Sequence, residues 1–171
     1  MKIQRLLEGL SDMDMDKYPI TAEGFNRLEA ELKNLKSVER PDVIKAIAVA
    51  REHGDLKENA EYHAAREKQS FIEARISLLE GVTSFAEVID ISAISGDIIR
   101  FGAHVVVYDE DSDEEVSYQI VGEHEADIAL KRLSVTAPLA RALLGKSDGD
   151  VVDVVTPKGK KSYEVCGVSF K

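Results

Sequence analysis

Asp55 and Glu58 are the residues of this chain best placed to do chemistry. They are two carboxylates three positions apart within Glu52-His53-Gly54-Asp55-Leu56-Lys57-Glu58-Asn59-Ala60-Glu61-Tyr62. The stretch separates two segments of helical periodicity, so it falls where a helical hairpin must reverse. Carboxylates held at the far turn of a hairpin, away from any core, present oxygen ligands to whatever the turn is brought against. Mg²⁺ takes one or two such groups from a given source while keeping several waters. The same residues also read as plain helix chemistry. Gly54 suits the left-handed residue that ends a helix, and Asp55 with Glu58 has the spacing of a capping box for the next one, on the favourable end of its dipole. Both readings stand together, since a capping aspartate keeps a free oxygen.

The elements that would hold this turn are legible on either side of it. Tyr18-Pro19-Ile20-Thr21 is an extended lead-in with an N-cap at Thr21 and a hydrophobic staple between Ile20 and Phe25. Phe25, Leu28, Leu32, Leu35 and Val38 then recur at steps of three and four. Pro41 interrupts, so a kink or short break is expected at Arg40-Pro41 before Val43, Ile44, Ile47 and Ala50 resume the stripe to about His53. After the turn, Tyr62, Ala65, Gln69, Ile72, Ile76 and Leu79 form a heptad seam that Gly81 is expected to end. The two helices must fold back antiparallel, and at about 1.5 Å per residue the hairpin is roughly 40 to 50 Å long, so its tip should project. Ala46, Ala48, Ala50, Ala60, Ala64 and Ala65 would make that end slender, although helix propensity explains alanines equally well.

A different pattern follows Glu87–Ile91 and Ser92–Gly96. Ile98–Phe101, His104–Tyr108, Val116–Val121, Val151–Val155 and Ser162–Phe170 are β-rich runs between turn clusters, and 138–145, opened by Pro138 and closed by Gly145, is one helix. The expected architecture is α+β: an antiparallel helical coiled-coil hairpin over 18–91, then a small antiparallel sheet with one helix over 96–171. Residues 1–17 form an extension of no assigned role, in which Ile3, Leu6, Leu7 and Leu10 share one helical face.

Composition narrows the function. The chain has 171 residues, a formal charge of -10 and a pI near 4.9, with 13 basic and 18 acidic residues up to Ser95 and 9 and 14 after it. Neither half is a basic module for duplex DNA or anionic lipid. Cys166 is the only cysteine, which excludes an internal disulfide and points to a reducing cytoplasm. Met1–Lys17 lacks the long apolar run of a signal peptide or membrane span. There is no glycine-rich phosphate loop, no zinc spacing and no nucleophile elbow, and His53, His63, His104 and His124 are scattered.

The chain from Tyr18 to Phe170 resembles the bacterial Gre transcript cleavage factors, of the GreA type. The resemblance is carried by Arg40-Pro41, the run from Ala50 to Glu67 that contains the acidic turn, Phe101-Gly102-Ala103, Ile120-Val121-Gly122 and Pro138-Leu139-Ala140-Arg141. It implies a coiled-coil domain that enters the secondary channel of RNA polymerase and an FKBP-like domain that docks at the channel rim. The activity implied is transcription elongation: stimulation of the polymerase's own cleavage of backtracked RNA, without an independent enzyme in this chain. On that resemblance Asp55 and Glu58 help hold a Mg²⁺ shared with the polymerase and orient the attacking water, the chain having no cofactor of its own. Arg51 and Arg66 match basic positions that approach the RNA 3′ end, with ion pairing to Glu58, Glu61 or Glu67 as the structural rival. Asn59 and Tyr62 match the tip motif as supports, with core packing the rival for Tyr62. Ser134, Thr136 and Pro138 match the rim-docking loop, where Ala137 stands in place of the family's usual serine and leaves Thr136 to cap the helix. The protein is then expected to be a cytoplasmic monomer whose partners are RNA polymerase and RNA, with no membrane. A channel-binding regulator that does not support cleavage, and a prolyl isomerase, are the alternatives.

Overall fold

The computed structural model describes residues 17–171. The helical face expected for Ile3, Leu6, Leu7 and Leu10 lies outside the described residues. The described part begins with strand β1 (Tyr18–Thr21), which leads directly into helix α1 (Ala22–Asn34). The Thr21 hydroxyl accepts from the amide of Gly24 at 3.0 Å, the expected N-cap. Helical structure continues through a π-helical stretch at Leu35–Glu39 into α2 (Arg40–Glu52). The expected break at Arg40-Pro41 is thus a change of helical pitch. Pro41 has no amide hydrogen to donate, and the Arg40 amide bonds back five residues to Leu35 O. The wider turn also shifts the apolar stripe: Leu35 stays half-buried, whereas Val38 and Ile44 are 48% and 51% exposed.

After the loop at 53–59, helix α3 (Ala60–Ser84) runs back along α2. Val43, Ile72 and Ile76 form the buried seam with Leu32 and Leu35 packed against it, and Ile47, Ala50, Leu79 and Val82 are buried as well. Of the alanines expected to thin the tip, only Ala50 is buried and Ala65 half-buried; Ala46, Ala48, Ala60 and Ala64 face solvent. Gly81 does not end the helix. Its carbonyl accepts from the Phe85 amide, one turn further on. Two bidentate pairs, Arg40 to Glu73 and Arg75 to Glu31, tie the helices across the seam.

Strand β2 (Ala86–Ile89) pairs parallel with β1, Tyr18 opposite Ala86 and Thr21 opposite Ile89. The main sheet comprises β3 (His104–Asp109), β4 (Glu114–Val121), β5 (Arg132–Ser134), β6 (Val151–Thr156) and β7 (Gly159–Ser169), in the order β5-β4-β3-β7-β6. It is antiparallel as expected through four strands, and β5 adds a three-residue parallel edge beside β4. Helix α4 (Pro138–Leu143) buries Ala140 and Leu143 against Val105, Val107, Ile120, Leu133, Val152 and Val165. Ile98–Phe101 is not a strand. Its backbone is satisfied by the loop after α4, through Ile99 N to Lys146 O at 2.8 Å and Gly145 N to Ile99 O at 2.9 Å.

The described residues form two compact units, Phe25–Phe85 and the described residues on either side of it. The outermost residues of the expected 18–91 domain thus group with the sheet. The reason is local: β1 and β2 pair with each other, and the Glu125 carboxylate accepts from Thr21 N at 3.0 Å, Thr21 Oγ1 at 2.7 Å and Gly122 N at 2.9 Å. Gly24 faces this carboxylate with no room for a methyl group, since a Cβ there would lie 1.5 Å from Glu125 Oε2. No helix among the described residues is long and apolar enough to cross a membrane.

Candidate functional site

The reversal between α2 and α3 is built from backbone capping. His53 closes α2, its amide donating to Ala50 O at 3.2 Å, and Gly54 follows at φ +102°, a conformation glycine adopts without a side-chain penalty. The chain then crosses to Asn59, which is the N-cap of α3: its Oδ1 accepts from Tyr62 N at 3.0 Å. The other end of the same amide donates to Ala50 O at 2.6 Å, so Asn59 joins the last turn of α2 to the first turn of α3. His63 Nε2 lies 3.0 Å from Lys57 O, which accepts when that nitrogen carries the proton, and so holds the middle of the loop.

This arrangement corrects the capping-box reading of Asp55 and Glu58. Asp55 accepts from Lys57 N at 3.0 Å through one oxygen, a local turn within the loop, and Glu58 lies one residue ahead of the actual cap. The misreading came from two overlapping cap signals: Asp-x-x-Glu begins at 55, and Asn-x-x-Tyr begins at 59, directly before the periodic run. Freed from capping, both carboxylates are exposed, and neither has an ion-pair partner within 4.0 Å among the described residues. Together with His53, Asn59, Ala60 and Glu61 they line a shallow depression on the loop. Leu56, between them, is 41% exposed. Among the described residues no group of three or more His, Cys, Asp or Glu side chains is arranged to hold a metal ion.

Arg51 and Arg66 lie on the two helices behind the loop, and both are exposed. Neither ion-pairs with Glu58, Glu61 or Glu67. The Arg51 guanidinium lies 5.9 Å from the Tyr62 ring centroid, and Arg66 donates to Gln69 Oε1 at 3.1 Å. Tyr62 is half-buried and meets the His63 ring edge-on at 5.6 Å, so it acts as a platform under Arg51 as well as a packing residue. The cross-helix amide of Asn59 and the His63 contact had no clear signal in the sequence, because both depend on which backbone carbonyls the turn brings near.

Ser134, Thr136 and Pro138 form a separate cluster on the sheet unit. The Ser134 and Thr136 hydroxyls are 2.7 Å apart, and Thr136 N donates to Ser134 Oγ at 3.2 Å. Thr136 therefore does not cap α4. Ala137 occupies the N-cap position with no side-chain hydrogen bond, and the helix starts instead on Pro138, whose fixed φ suits the first turn. Thr136 and Pro138 are exposed and Ser134 is half-buried.

Two family models match the chain: "Transcription elongation factor, N-terminal" over residues 18–88 and "Transcription elongation factor, GreA/GreB, C-term" over 94–170. The chain is 64% identical over 156 residues to the transcription elongation factor GreA of Rhodospirillum rubrum, covering 91% of this chain and 99% of that protein. It is 63% identical over 155 residues to GreA of Rickettsia typhi, covering 91% and 96%. Among solved structures, the GreA factor homolog Gfh1 of Thermus thermophilus matches at 30% identity, 90% and 99% coverage and a TM-score of 0.41.

Proposed function

This chain belongs to the GreA/GreB family of transcription elongation factors, and from that membership we propose that it brings the 53–59 loop into the secondary channel of RNA polymerase and stimulates cleavage of backtracked RNA there. The observation that carries this reading is the pair of exposed carboxylates, Asp55 and Glu58, without an ion-pair partner among the described residues and on a loop whose capping needs are met by Asn59. A carboxylate that neither caps a helix nor pairs with a cation keeps oxygen available to an outside ligand, and Asp55 uses only one oxygen for its turn.

Two carboxylates match the share that Mg²⁺ takes from one source, and Asp55 keeps one oxygen clear of its bond to Lys57 N. Asp55 and Glu58 would hold such an ion jointly with the polymerase. When bound, it supplies charge stabilisation for the oxygens entering and leaving phosphorus. The chain's own part is positioning. Asp55 and Glu58 accept hydrogen bonds from the attacking water and fix its approach. Arg51, seated over Tyr62, and Arg66 offer guanidiniums to the phosphates of the displaced RNA end. Asn59 and His63 hold the loop so that these groups keep their spacing. Ser134, Thr136 and Pro138 form the surface that seats the sheet unit against the channel rim. The protein works in the cytoplasm as a monomer, and the hydrolytic centre belongs to the polymerase.

The test is a transcript cleavage assay on stalled elongation complexes with Asp55→Ala/Glu58→Ala. Stimulated cleavage should disappear while polymerase binding persists. Cleavage by the double variant at the parent rate would remove the loop from the mechanism. The intact Asp55-Leu56-Lys57-Glu58-Asn59 run speaks against a regulator that binds without supporting cleavage.

A further inference from the structure

The two edges of the main sheet differ. Beside β5 the chain fills the edge itself, since Asp127 and Arg132 exchange both backbone bonds, at 2.9 and 2.8 Å. The β6 edge is open. Thr156 pairs with Gly159 across a two-residue turn, and the same register sets Val154 opposite Lys161 and Val152 opposite Tyr163. These alternate residues of β6 bond to β7, so the N–H and C=O groups of Val151, Asp153 and Val155 point away from the sheet. Among the described residues no partner takes any of these six groups. Val151 and Val155 are 56% and 81% exposed, with exposed Asp153 between them on the same face. A free edge of this kind is a template for another extended segment, and its alternate side chains decide which one is accepted.

Charge selects the occupant. Asp153 accepts from Ser162 Oγ at 2.6 Å on one oxygen and from Lys160 Nζ at 2.8 Å on the other, which leaves acceptor capacity on both. Asp148 and Asp150 precede Val151 and Glu164 stands opposite it, all three exposed, against Lys158 and Lys160 at the turn end of the strand. The edge is therefore net acidic. A second copy laid antiparallel, with its two valines opposite these two, sets one Asp153 against the other, a like-charge contact that disfavours self-pairing. A cation at that position has the opposite effect. We propose that β6 takes up an extended segment of another protein as a sixth strand, with Lys or Arg opposite Asp153 and a β-branched apolar residue two positions away on each side, packed on Val151 and Val155. This surface lies at the edge opposite β5 and does not rest on the role proposed for Asp55 and Glu58.

The probe is the end-capped peptide Thr-Val-Thr-Lys-Thr-Val-Thr, whose pattern is the same in either strand direction. It is added to the full chain while amide hydrogen exchange is followed residue by residue by NMR. At ten times the peptide's Kd, exchange at Val151, Asp153 and Val155 should slow about tenfold. A peptide with Glu in place of its Lys should bind about three- to tenfold more weakly, and Asp153→Lys should reverse the preference between the two. Val155→Pro removes one outward N–H without breaking a bond to β7 and should also weaken the lysine peptide; Val151→Ser/Val155→Ser serves should the proline variant fail to fold. Unchanged exchange at these three amides up to about 1 mM lysine peptide overturns the proposal, as does equal binding of the two peptides. Protection that is present without peptide and grows with protein concentration assigns the edge to a second copy and also overturns it.

Discussion

Glu125 is only 2% exposed and accepts from two amides and a hydroxyl, with Gly24 pressed against it. Gly24→Ala should force this contact apart and destabilise the protein by about 1–3 kcal/mol, read as a lower thermal midpoint. Asn59→Ala removes both the cap and the cross-helix bond and should cost about 1–2 kcal/mol in urea unfolding. Asn59→Asp, which keeps the accepting oxygen and loses the donor, should recover part of that loss. Asp109 adds a pH dependence. Burial raises its carboxyl, but the Lys161 ammonium and the Asp111 and Ser112 amides outweigh burial and leave it below the ordinary aspartate range. A carboxyl depressed in the folded state stabilises above its unfolded pKa, and that contribution fades as pH falls through the folded value. Thermal midpoints below about pH 4 should therefore fall less steeply in Asp109→Asn than in the parent.

At the level of elements, the hairpin is held by its seam. Ile76→Ala should cost about 2–5 kcal/mol, because a side chain 2% exposed leaves a cavity between the helices. Arg75→Ala, which breaks a well-formed but part-exposed pair with Glu31, should cost no more than about 1 kcal/mol. Parallel urea titrations give the ranking, and the reverse order would make ion pairs the main support. These helices were readable from the Thr21 cap and the spacing of Val43, Ile72 and Ile76, since capping and periodicity are local. The β1–β2 pairing was not readable: four residues on either side of the 64 that separate Thr21 from Ala86 meet only through the fold. β5 is three residues long and follows the positive φ of Lys131, which a lysine does not advertise. Ile98–Phe101 has strand composition but is bonded by the loop after α4. The two carboxylates of the candidate site were legible by position, whereas their release from capping was not, because Asn59 competes for the same role.

For the whole molecule, a formal charge of -10 means that electrostatics must be local to matter. Arg51 and Arg66 flank the loop within an otherwise acidic chain, an arrangement that suits short contacts to a few phosphates and disfavours broad adhesion to nucleic acid. Membership of the GreA/GreB family makes the protein a transcription elongation factor, and the role proposed for this loop is to lend two carboxylates to the polymerase's centre. The most direct measurement is RNA cleavage in stalled polymerase complexes by Asp55→Asn/Glu58→Gln, with polymerase affinity measured in parallel. The expected result is loss of stimulation at unchanged affinity, since shape is kept and only charge is removed. Stimulation retained in full by this charge-free, isosteric pair would contradict the role of the two carboxylates.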